Sequence, residues 1–85
     1  MKHAKPEQLN YIAVEICSQV RLFPHIFERI PCHFYYHGKN ILHFHEDKGN
    51  IYADIGDKRL KCDDVNAIIS EINLIIYNIN KGSKK

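Results

Sequence analysis

The sequence predicts an α+β domain of two layers, ordered α-β-β-β-α. A three-stranded antiparallel meander carries both helices packed on one face. Three observations carry this expectation. Apolar residues recur three and four positions apart near both ends of the chain. Between those ends, short runs of aromatic and β-branched residues alternate with polar ones. Two glycine-containing breaks, "HGKN" and "DKGN", divide the runs as hairpin turns would.

The first helix is expected over residues 6–20. Pro6 suits a first helical turn, where its missing N–H removes no hydrogen bond. Leu9, Ile12, Ala13, Ile16, Cys17 and Val20 form one apolar stripe. The segment "RLFP" ends the helix, because the residue before Pro24 is pushed out of the helical region. Strands are expected near 26–36, 41–46 and 51–55. Pro31 should break or bulge the first of these, or confine it to an edge.

The second helix is expected over residues 64–80. Asp63 is the expected N-cap, its carboxylate accepting from a free backbone N–H. Val65, Ile68, Ile69, Ile72, Ile75, Ile76 and Ile79 make its stripe. These residues are all β-branched, so burial rather than intrinsic propensity must hold the helix. Residues 1–80 form a single domain in this reading, and the basic tail 81–85, "KGSKK", is expected to be flexible.

Composition sets limits on function. A chain of 85 residues makes one small domain that buries about 60–65% of its unfolded surface, so association is a natural route to added stability. The formal charge of +2, from 12 basic and 10 acidic residues, is too even to mark a nucleic-acid binder. Cys17, Cys32 and Cys62 are widely spaced and include no CxxC, so neither a disulfide framework nor a zinc ribbon is expected. Neither a signal peptide nor a membrane span is expected, because no apolar run is long enough. The expected location is the cytoplasm, with reduced thiols.

Four of the six histidines lie in "HFYYHGKNILHFH": His33, His37, His43 and His45. Alternate strand residues face opposite ways, so Leu42 and Phe44 part from His43 and His45. A two-residue turn at Lys48-Gly49 pairs His43 with Asp54, Phe44 with Ala53 and His45 with Tyr52. The preceding hairpin closes in either of two ways. A two-residue loop at Gly38-Lys39 pairs Tyr35 with Leu42 and puts His33 beside Phe44 in the core. A three-residue loop, Gly38-Lys39-Asn40, pairs Tyr36 with Leu42 and Phe34 with Phe44, and sets His33 opposite His45. The second is preferred, since burying an unsatisfied imidazole costs on the order of 1–3 kcal/mol. It gathers all four histidines with Tyr35, Tyr52 and Asp54 on the face opposite the helices.

Such a face has several uses. It can be an ordinary solvated sheet surface. It can bind a protein partner or a second copy through His33, Tyr35, His37, His43, His45 and Tyr52, since tyrosine is enriched at contact surfaces. It can hold zinc or a similar metal through His33, His43, His45 and Asp54, since imidazoles with a carboxylate suit such ions. It can contact RNA by ring stacking, or cleave it by histidine acid–base chemistry. Gly-rich phosphate loops and a GxSxG elbow are absent from the sequence.

The segments "CHFYY", "ILHFHEDKGNIYADI" and "IISEINLIIYNIN" resemble successive parts of the small prokaryotic domain-of-unknown-function family 4160, over residues 24–81. Members of that family resemble a compact meander followed by a helix. Ile41 and Leu42 stand where the family usually has prolines, its C-terminal tryptophan is absent, and the first helix lies outside the similarity. The HxH strand is also similar to a short segment of a luciferase-like domain family. The first resemblance implies one member of a small gene pair of toxin–antitoxin type, and names no catalytic residue and no cofactor. The expectation taken forward is a non-enzymatic interaction module using the His/Tyr face. The alternative is a metal- or RNA-binding protein, in the extreme a nuclease.

Overall fold

The computed structural model describes residues 2–5 and 9–83. Its elements are β1 (Lys2–His3), α1 (Tyr11–Val20), β2 (Ile26–Ile30), β3 (His33–Tyr36), β4 (Lys39–Asp47), β5 (Asn50–Ile55), β6 (Lys58–Lys61) and α2 (Val65–Ser83). The protein is α+β, as its periodicities predict. The sheet is antiparallel and larger than a three-stranded meander. Its order is β2-β3-β4-β5-β6, and β1 pairs with β4 off that path.

The additional strands have local causes. The expected first strand is two, because the chain reverses at Pro31-Cys32 and Cys32 takes a φ of 67°. Beyond Ile55, the turn Gly56-Asp57 returns the chain as β6, pairing Asp54 with Arg59 and Ala53 with Leu60. Only Leu60 marks β6 as an alternating strand among Lys58, Arg59 and Lys61.

The β4–β5 register is the predicted one: His43 opposite Asp54, Phe44 opposite Ala53, His45 opposite Tyr52. The β3–β4 register differs from both sequence alternatives. The turn is His37-Gly38, with φ values of 52° and 80°, and Tyr36 lies opposite Lys39. Positive φ at both central residues matches the right-handed twist of the strands. The register then shifts between Tyr35–Asn40 and Phe34–Leu42, leaving Ile41 as the extra residue of a bulge. Ile41 and Leu42 are both fully buried there. Phe34 and Tyr36 still enter the core as expected.

The helices also start later than expected. Asn10 caps α1, its side-chain oxygen accepting from the Ala13 N–H at 2.8 Å. Residues 6–8, including Pro6, lie outside the described residues. Asp64, not Asp63, caps α2: its Oδ1 accepts from the N–H groups of Asn66 (3.0 Å) and Ala67 (3.3 Å). The helix runs on through Ser83, so residues 81–83 of the expected tail are helical. Residues 84 and 85 lie outside the described residues.

One core joins the layers. Ala13, Ile16, Cys17 and Val20 of α1, and Ile68 and Ile72 of α2, cluster with Phe34, Leu42, Phe44, Ala53 and Ile55 of the sheet. The Tyr36 hydroxyl donates to Asn80 Oδ1 at 3.0 Å and ties β3 to the end of α2. Burial drives the Cys62 thiol pKa up to about 12, and raises that of Cys17 further. Both therefore behave as apolar core groups. No described helix is long and apolar enough to cross a membrane.

Candidate functional site

The site is built by alternation. Leu42 and Phe44 enter the core, which sends His43 and His45 to the other side of β4. On β5, Ile51, Ala53 and Ile55 do the same for Tyr52 and Asp54. On β6, Leu60 turns toward the core, which leaves Arg59 and Lys61 together on that same outer side. Pairing then sets His43, Asp54 and Arg59 in one row across three strands.

Asp54 is the hub. Its Oδ1 accepts from Arg59 Nε at 2.5 Å and its Oδ2 from Arg59 Nη2 at 2.7 Å. The same Oδ2 lies 2.9 Å from His45 Nε2 and 3.2 Å from His43 Nε2. On its far side, His43 Nδ1 lies 2.7 Å from Asn40 Oδ1. Asp54 and His45 are only 9% and 8% exposed, although they sit on the face away from the helices. Burying a carboxylate raises its pKa, and the Arg59 guanidinium, with the two neighbouring imidazoles, opposes that. The Arg59 hydrogen bonds dominate, and the Asp54 pKa ends below its ordinary value.

The predicted histidine cluster is thus partly assembled. His43, His45 and Asp54 converge, with one donor atom from each lying within 4.8 Å of the others. His33 stacks on His43 with ring centroids 6.0 Å apart and planes 14° from parallel. It therefore lies beside His43 rather than opposite His45, and falls outside the converging group, a consequence of the earlier His37-Gly38 turn, which the Ile41 bulge only partly offsets. His37 does not join them either. It occupies the β3–β4 turn, where its ring meets Tyr36 at 4.3 Å and His25 at 6.2 Å. Tyr52 is half-buried beside His45. Arg59 lies beyond the last of the three expected strands, and Asn40 falls within the expected three-residue loop. The signal for Arg59 was the Gly56-Asp57 break followed by "KRLK", which reads as a third hairpin.

The other end of this face is chemically different. Tyr35 of β3 lies opposite Phe27 of β2. Phe27 and Ile30 are 63% and 54% exposed. A shallow apolar groove is lined by Phe27, Arg29, Tyr35 and Gly38, and continues past Ile30 and His33. On the helix side of the same strand, Glu28 accepts two hydrogen bonds from Arg21, at 2.8 and 2.9 Å, and one from the Cys32 N–H. Comparison of the chain with family models, with curated proteins and with solved structures finds no match.

Proposed function

We propose that the protein is an interaction module that pairs with a second copy of itself through β2 and the adjoining groove. The observation that carries this reading is the exposure of Phe27 and Ile30 on a strand at the edge of the sheet. An exposed apolar edge is a template for strand addition. Other exposed apolar residues, such as Val14 on α1 and Leu74 on α2, lie on helices, whose backbone offers no free strand edge.

The sequence of β2, "IFERI", favours a like partner. An antiparallel two-fold axis through Glu28 brings Phe27 of each copy up to Arg29 of its mate. This contact occurs twice and is a cation–π pair. The two Glu28 side chains then approach each other, each already bound by its own Arg21. Arg29 sits at a register shift in β2, and Pro31 follows the strand, so pairing is confined to five residues. A short interface of this kind gives a weak, concentration-dependent dimer. Within the predicted His/Tyr face, this assigns contact roles to His33 and Tyr35, while His45 is buried in its own network. The partner chain implied by the family resemblance would compete for the same strand.

Sedimentation over a concentration series tests this. The native chain is expected to shift from monomer to dimer, and Phe27→Lys to raise the dissociation constant at least about tenfold, or 1.4 kcal/mol. A native chain that stays monomeric at millimolar concentration, or a Phe27→Lys variant that associates equally well, overturns the proposal.

A further inference from the structure

We propose that His43, His45 and Asp54 form a binding site for one divalent transition-metal ion, with zinc the best-suited class. The two imidazole Nε2 atoms and Asp54 Oδ2 are the ligand atoms. This site is separate from the β2 edge and does not depend on self-association.

Three features support it. First, the spacing is near that of a coordination shell. Tetrahedral zinc with bonds of about 2.0–2.1 Å needs ligand atoms about 3.3–3.4 Å apart. The two N–O separations are 3.2 and 2.9 Å, and one ligand atom from each of the three residues lies within 4.8 Å of the others. Small side-chain rotations close the difference.

Second, the outer partners suit ligation. Asn40 Oδ1 lies 2.7 Å from His43 Nδ1. When Nδ1–H donates to that oxygen, Nε2 is left to face Asp54 with either a second proton or a lone pair. A lone pair there confronts the carboxylate Oδ2 at 3.2 Å, and a cation between them resolves the conflict. A carbonyl acceptor behind a histidine and a hydrogen-bonded carboxylate are the usual supports of a metal site. Arg59 Nε can keep Oδ1 while the metal takes Oδ2.

Third, the site is held rigidly and has one open side. All three residues lie on paired strands, with Asp54 and His45 buried. The His43 side chain is 22% exposed, which leaves room for water as a fourth ligand. The guanidinium of Arg59 opposes the ion, since its Nη2 occupies Oδ2 and carries like charge. Arg59 therefore tunes the affinity downward.

The test is zinc titration into the full-length chain without a histidine tag, followed by calorimetry, with cobalt(II) as a spectroscopic substitute. One ion per chain is expected, with visible cobalt bands of tetrahedral intensity and no near-ultraviolet thiolate band. Absence of that band separates this site from binding at Cys17 or Cys32. His43→Ala, at a partly exposed position, should weaken zinc at least about tenfold. Arg59→Gln should tighten it, because a competing cation is removed. No saturable binding by the native chain, binding unchanged in His43→Ala, or binding no tighter in Arg59→Gln overturns the proposal.

Discussion

The two edges of the sheet, β2 and β6, present opposite chemistry. β6 offers Lys58, Arg59 and Lys61 to solvent, and two of these charges are engaged within the protein: Arg59 grips Asp54, and Lys58 reaches Glu71 of α2 at 3.0 Å. Lysine and arginine on an edge discourage a second strand from adding. β2 offers Phe27 and Ile30, and its one acidic side chain turns inward to Arg21. The face between them divides in the same way. Near β6 it is a polar network centred on Asp54, and near β2 it is a shallow apolar groove. Of the four histidines that stand out in the sequence, His43 and His45 are taken up against Asp54, while the exposed apolar side chains of this face are Phe27 and Ile30.

That contrast can be broken most forcefully at Asp54. Asp54→Ala removes an acceptor shared by three side chains and leaves buried His45 without its carboxylate. A loss of about 2–3 kcal/mol in denaturant unfolding is expected. A loss below about 0.5 kcal/mol would show that the network does not stabilise the β4–β6 half.

Acid is the milder form of the same perturbation. Folding lowers the pKa of Asp54, chiefly through the Arg59 hydrogen bonds, and lowers that of Glu28 through those of Arg21. A depressed carboxylate contributes its full stability above its unfolded value, about 3.9 for aspartate. That contribution fades as the pH falls through the lower folded value. Stability should drop across the acid carboxylate range, and Asp54→Asn should flatten the drop. An equally steep profile in Asp54→Asn would assign the acid sensitivity to other groups.

At the β2 edge the expected pattern is reversed. Ile30→Lys should leave unfolding free energy within about 0.5 kcal/mol of the native chain, as surface substitutions do. The same change should weaken association. A large stability loss with unchanged association would make β2 a structural strand only. Smallest of all is the surface pair at β6: Lys58→Ala should cost no more than about 0.5 kcal/mol, since exposed ion pairs contribute little.

Much of the fold was legible because period alone carries it. The stripe of α2 and the alternation Leu42-His43-Phe44-His45 specify which side of each element is buried, and the β4–β5 register follows from the Lys48-Gly49 turn. What escaped were features that depend on one residue's backbone. His37 accepts a positive φ, which moves the β3–β4 turn one residue earlier and forces the Ile41 bulge. Cys32 does the same at the β2–β3 reversal. In the site, His43, His45 and Asp54 follow from alternation, whereas Arg59 requires β6 and Asn40 requires the true turn. A three-residue loop would set His33 opposite His45, and the tighter His37-Gly38 turn does not allow that register.

Amide hydrogen exchange at two protein concentrations compares both edges in one measurement. If β2 is the association strand, amides within Ile26–Ile30 should gain protection as concentration rises, while those of Lys58–Lys61 stay unchanged. Exchange in β2 that is independent of concentration, or protection that grows at β6 instead, would contradict the assignment of the apolar edge as the binding surface.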